Sequence, residues 1–267
     1  MSRRFRFLSL YAVFFLVFLY APTILLPLFS FNDNTFAVFP LKAFTVKHYG
    51  AMFTNGAMLG ALANSLIVGV VSAVTATAIG IPLAIALARR LLPASNFLLA
   101  TVMLPLVVPS IIFAVAFLVI LVRILKIDLS LWSITIAHVF LCLPFSVMVL
   151  MSRLDGLDRS LEEASRDLGE TALGTFRRVT LPLILPAVIS SLLLCFITSF
   201  DEFVLAFFLS GTQPTLPVFL YGQLRFPNKL PPMLALGSVI LIVSTLLVIL
   251  SEIIRRRGAA GLKPEDA

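Results

Sequence analysis

The chain has 267 residues, of which 60% are hydrophobic and only 12% charged, and its mean hydropathy is +1.08. A soluble domain carries roughly 45–50% apolar and about 25% charged residues. No water-soluble core could hide this much apolar surface, so the solvent must be lipid. The net charge of +7 would suggest nucleic acid in a soluble protein. In a lipid-embedded chain the position of each cation carries the information instead, and no nucleic-acid partner is expected.

A spanning helix needs about 20 largely apolar residues, because the hydrocarbon core is ~30 Å thick and each residue rises ~1.5 Å. Six stretches qualify: residues 8–29, 62–88, 97–121, 133–151, 183–208 and 233–254. The first follows a positive start, as in a signal peptide. Its apolar run is too long for one and lacks a clear small-residue cleavage site, so an uncleaved first helix is expected. Six spans and one lipid-embedded unit over 1–267 predict an all-α integral membrane protein.

The cations then orient it. One side holds fourteen: Arg3, Arg4, Arg6, Arg89, Arg90, Arg153, Arg159, Arg166, Arg177, Arg178, Arg255, Arg256, Arg257 and Lys263. The other holds six: Lys42, Lys47, Arg123, Lys126, Arg225 and Lys229. A Lys/Arg excess marks the cytoplasmic side, so both termini are expected inside, which needs an even number of spans. Prolines at 22, 27, 82, 105, 109, 144 and 186 predict kinks, tolerated where neighbouring helices re-satisfy the freed backbone groups. Cys142 and Cys195 lie in separate apolar runs without metal spacing and read as small buried hydrophobes.

The link between the fourth and fifth spans, residues 153–182, is the most charged stretch. Ser160 and Glu163 have the spacing of a capping box, and Leu161, Ala164 and Leu168 recur on one helical face. Glu162 and Arg166 are spaced for an i,i+4 pair, and Gly169 is placed to end the helix with positive φ. A second short helix follows through Ala172, Leu173 and Phe176. Such a knuckle suits either a surface-lying amphipathic linker or a docking element for a cytoplasmic partner.

The segment resembles the EAA loop of binding-protein-dependent ABC import permeases, whose pattern is Glu-Ala-Ala, three residues, Gly, nine residues, then Ile-x-Leu-Pro. Here Glu163-Ala164-Ser165, Gly169 and Val179-Thr180-Leu181-Pro182 keep that spacing, with Ser165 and Val179 as the departures. The resemblance implies a MetI-like permease fold in the bacterial inner membrane. It implies coupling to an ABC ATPase dimer through Glu163, Ala164, Ser165, Gly169, Leu181 and Pro182. It also implies a homologous second permease subunit and an extracytoplasmic substrate-binding protein. The permease itself would bind no ATP and no cofactor, in keeping with a sequence that has no G-x-x-x-x-G-K-[ST] loop.

In the fifth span, Asp201 and Glu202 interrupt an apolar run. Ionisable groups at membrane depth are costly, about 2.5–3.5 kcal/mol by insertion scales, and normally face a cavity or a partner. The two acids therefore read as substrate-pathway residues suited to a cation, or as structural groups paired with Arg123 or Arg225 or capping a helix break. Residues 196–211 resemble the second permease of the spermidine/putrescine importers, which implies a polyamine substrate; related permeases carry opines, iron or sulfate. No catalytic or metal constellation stands out: His138 is alone in its span and reads as a satisfied buried histidine, and no HExxH or GxSxG occurs. An ion-coupled secondary transporter is the remaining alternative, and the docking loop argues against it.

Overall fold

The computed structural model describes residues 3–89 and 94–260, with side chains for 8–89 and 94–246. Arg90 and Lys263 lie outside the described residues, as do the side chains of Arg3, Arg4, Arg6 and Arg255 to Arg257.

In chain order the helices are α1 (Arg3–Ser30), α2 (Lys47–Thr54), α3 (Gly56–Ala88), α4 (Ser95–Val107) and α5 (Ser110–Val119), the last continued by a π-turn, Ile120–Ile124. Then come α6 (Leu131–Asp155), α7 (Ser160–Asp167), α8 (Ala172–Thr175) with a π-turn at Phe176–Thr180, and α9 (Leu181–Asp201). The chain closes with α10 (Val204–Leu209), α11 (Leu216–Gln223) and α12 (Leu230–Ala260). Among the described residues five helical segments are long and apolar enough to cross a membrane, and α4 with α5 make a sixth if the bent pair is one span.

The kink expected at Pro109 divides the third span, read from 97–121, into α4 and α5. The two halves meet at 104°. Pro109 cannot donate a backbone hydrogen bond, its ring excludes the preceding turn, and it drives the residue before it to extended backbone; Val108 has ψ 129°. The fifth span is corrected at both ends. Its helix starts at Ala172 rather than 183, so the second knuckle helix is the first turn of the span itself, and it stops at Asp201. The π-turn inside it lies directly ahead of Pro182, whose ring would crowd the carbonyl four residues back in a regular α-helix.

The described residues form two compact units, one drawn from 1–59 with 220–267 and the other from 60–219. In the first, α12 packs on α1 and α2. The loop after α1 is pinned by an isolated bridge between Asn32 and Phe44 and by stacked Phe31 and Phe44 rings, 4.9 Å apart. Asp33 pairs with Lys47 there, and that ammonium holds the Asp33 carboxyl below its ordinary value.

In the second unit, α6 is the most buried span. It packs against α4, α9 and α10. The core runs along it as Ala114, Ile134, Ala137, Leu205 and Leu209 at one end, Ala73, Ala76, Cys142 and Cys195 in the middle, and Ala84, Leu150, Leu154 and Ile184 towards the knuckle. Lipid tails are as apolar as leucine, so membrane helices associate through close packing of small residues and shared hydrogen bonds. A Cβ on Gly80 would lie 2.2 Å from Ser146 Oγ, so only glycine permits this approach. Ser146 in turn accepts from Ser191 Oγ at 2.9 Å, and Ser191 meets Thr77 Oγ1 at 2.9 Å.

Candidate functional site

The knuckle begins where α6 ends. Ser160 and Glu163 do not form the expected capping box: Ser160 is already inside α7, and its N–H donates to Asp158 Oδ1 at 3.0 Å. An aspartate two residues upstream reaches that N–H without any rearrangement, which displaces the box. The same Ser160 bonds lower the Asp158 pKa from its ordinary value.

Helix α7 has Glu162 and Glu163 in its first turn and Arg166 in its last, an arrangement that complements the helix dipole. It stops at Gly169, which has φ +87°. The Gly169 N–H donates to the Arg166 carbonyl at 2.8 Å and the Glu170 N–H to the Ser165 carbonyl at 3.2 Å. This is the Schellman pair of bonds, and it requires the left-handed residue that glycine supplies. The Thr171 hydroxyl then accepts from the Gly174 N–H at 3.1 Å and starts α8.

The six coupling residues read from sequence fall into two groups. Glu163, Ala164, Gly169 and Pro182 are exposed, together with Leu161, Leu168 and Leu173. Leu168 is 87% exposed, which makes this ridge an open apolar surface. Ser165 turns inward instead, 3.1 Å from Thr175 Oγ1, and Leu181 packs on the Leu150 and Ile184 cluster.

Glu162 does not pair with Arg166. It is taken by Arg89, whose guanidinium donates at 2.9 Å, and its same Oε1 accepts from Thr180 Oγ1 at 3.0 Å. Side-chain exposures of 10% for Arg89 and 20% for Glu162 explain the preference. The inward-facing partner is less solvated, so its attraction is screened less than that of an exposed Arg166. Sequence spacing shows local partners only, so it missed Arg89 and Thr180, which come from 73 and 18 residues away.

At the other end of the same long helix lie the two acids. Asp201 is the last residue of α9 and is exposed; Glu202 is half-buried with ψ 117°, and the helix resumes only at Val204. Glu202 Oε1 accepts the Leu205 N–H at 3.0 Å and so caps α10. Glu202 thus caps the local break between α9 and α10. Among the described residues Asp201 has no ion pair with Arg123 or another cation of its unit. It stands at a helix C-terminus, where the dipole and the last carbonyls add further negative potential. Phenylalanine pairs flank the break, Phe196 with Phe200 at 5.8 Å and Phe203 with Phe207 at 5.4 Å.

Between these poles α6 and α9 share a polar seam that periodicity could not show. His138 Nδ1 lies 2.8 Å from Ser199 Oγ, and its buried Nε2 meets no hydrogen-bond partner among the described residues. The cysteines, 53 residues apart in sequence, face each other across the helix crossing. Each thiol donates to the other's carbonyl, at 3.4 and 3.5 Å, and both remain free.

Residues 80–258 match the family model described as the binding-protein-dependent transport system inner membrane component. The chain is 35% identical over 245 residues to the spermidine/putrescine transport system permease protein PotC of Escherichia coli strain K12, covering 91% of this chain and 92% of that one. It is 36% identical over 231 residues to the putrescine transport system permease protein PotI of the same strain, covering 84% and 82%. Its fold resembles that of a chain in a bacterial ABC transporter involved in the import of the acidic polysaccharide alginate. There the TM-score is 0.71 at 19% identity, over 96% of this chain and 98% of that one.

Proposed function

The chain belongs to the binding-protein-dependent transport system inner membrane component family, and from that premise we propose that it is the permease through which an ATP-driven ABC importer admits polyamines. Asp201 carries the reading: a carboxylate at the C-terminal end of α9 with no ion pair among the described residues of its unit. In transporters such helix ends and their free carbonyls suit cations, and a carboxylate in reduced dielectric attracts an ammonium group strongly. The flanking phenylalanines offer ring faces to ammonium groups and apolar surface to the methylenes between them. An anionic solute such as sulfate would be repelled at the same point.

The relatives named for spermidine and putrescine support this substrate class. In this reading residues 1–267 act as one permease domain with both termini cytoplasmic, and residues 153–182 form its coupling loop. The exposed ridge of Leu161, Glu163, Ala164, Leu168 and Gly169 docks on an ABC ATPase dimer. The dimer binds and hydrolyses ATP, and this chain has no enzymatic step or cofactor of its own. A homologous second permease completes the pathway, and a binding protein delivers substrate from outside.

The test is uptake of labelled putrescine and spermidine by cells lacking the gene, with and without its restoration. Restored uptake that stops on ATP depletion is the expected result. Uptake of neither polyamine changing with the gene would sink the substrate assignment. Uptake that stops when the proton gradient collapses, but survives ATP depletion, would sink the ATP drive.

A further inference from the structure

Helix α7 buries none of its side chains. At eight residues it is also too short to persist by itself, since isolated helices below about 12–15 residues are marginal in water. Its seat on the bundle must therefore come from specific bonds rather than from apolar packing. Two of these converge on Glu162 Oε1, which receives both the Arg89 guanidinium at 2.9 Å and the Thr180 hydroxyl at 3.0 Å.

The three residues sit on three different elements. Arg89 continues α3, its N–H donating to the Ile85 carbonyl at 2.9 Å. Glu162 is in the first turn of α7, and Thr180, buried, closes the π-turn that leads into α9. A second tie runs parallel: Arg159, just ahead of α7, donates to the Ala88 carbonyl at 3.3 Å. The face of α7 turned away from these bonds is the exposed ridge that docks in the importer reading, on which this inference rests.

We propose that Arg89, Glu162 and Thr180 form a positioning strut that makes displacement of α7 move the cytoplasmic ends of α3 and α9 together. An apolar contact is non-directional and lets surfaces slide. A little-solvated charge pair resists separation, because parting it strands a charge in low dielectric. The lever beyond the strut is continuous: helix runs from Ala172 to Asp201, 30 residues, or roughly 45 Å at 1.5 Å per residue. A shift imposed at Glu162 is thereby delivered to the helix end that carries Asp201. In this proposal Arg89 and Glu162 act through the helices they join.

The test uses the full transporter, assembled with its own partner subunits in proteoliposomes, and compares Glu162→Gln, Arg89→Glu and the double exchange R89E/E162R. ATP hydrolysis, substrate uptake and assembly by gel filtration are read for each. Both single variants should hydrolyse ATP within about twofold of wild type, while uptake per ATP falls roughly tenfold, within the range seen for residues on coupling networks. The exchange should restore most of that ratio. Should Arg89→Glu fail to assemble, the isosteric Glu162→Gln decides alone. Unchanged uptake per ATP in an assembled single variant would overturn the strut. Equal loss of hydrolysis and uptake, or no recovery in the exchange, would reduce the pair to an ordinary structural contact. A wild-type complex without ATP-driven uptake would instead overturn the importer reading itself.

Discussion

Gly169 offers the sharpest separation of cause from effect. Its φ of +87° places it in left-handed backbone, yet a Cβ built there meets no atom within 4 Å. Any substitution within this chain therefore acts through backbone strain and not through a clash. An L-residue in this conformation costs roughly 1–2 kcal/mol, with asparagine the best tolerated and β-branched residues the worst. At 1.4 kcal/mol per tenfold, Gly169→Ala shifts the balance between the closed Schellman turn and a frayed helix end by about 5- to 30-fold. The expected order of damage is Asn, then Ala, then Val. Hydrogen exchange of the 160–175 segment reads the turn directly, and the ratio of uptake to ATP hydrolysis reads its consequence. If damage instead follows side-chain volume, with Asn worse than Ala, the glycine is needed for room against a partner and the strain argument fails. A wild-type exchange rate in Gly169→Val would dispose of the stop altogether.

Three further outcomes follow from the geometry. Gly80→Ala forces a Cβ to within 2.2 Å of Ser146 Oγ and should lower stability by about 1–3 kcal/mol. Thermal denaturation in detergent should show this loss and a partial recovery in G80A/S146A, and a wild-type midpoint for G80A would refute the close approach of α3 to α6. Asp201→Asn should leave assembly intact, because Asp201 is exposed and unpaired within its unit, and should cut polyamine uptake at least about tenfold through loss of the charge attraction; an unaltered rate would remove Asp201 from the pathway. Ser133→Ala deletes the hydroxyl that accepts the Ser130 N–H at 2.7 Å and donates to the Leu209 carbonyl at 3.0 Å. A loss near 1 kcal/mol is expected, and no change in chemical denaturation would show that water replaces both bonds.

Composition and local pattern determined the solvent, the number of apolar segments, the knuckle and its glycine stop. Each follows from residues within a few positions of one another: about 20 apolar residues span a bilayer, and a glycine after a short amphipathic turn ends it. The two acids were also visible as an anomaly in an apolar run. Their division of labour was not, because a continuous hydropathy profile cannot register the break at Glu202, whose carboxylate caps α10 and leaves Asp201 alone at the end of α9. Pro109 announced a kink but not its angle of 104°, which depends on what the two half-helices pack against. The i,i+4 rule offered Glu162 an exposed partner in Arg166, and the fold supplied Arg89 and Thr180 instead. Cys142 with Cys195 and Ser146 with Ser191 met in the same way, across a crossing of α6 and α9. Electrostatic and hydrogen-bond partners are chosen by desolvation, and desolvation exists only once distant helices have closed upon each other.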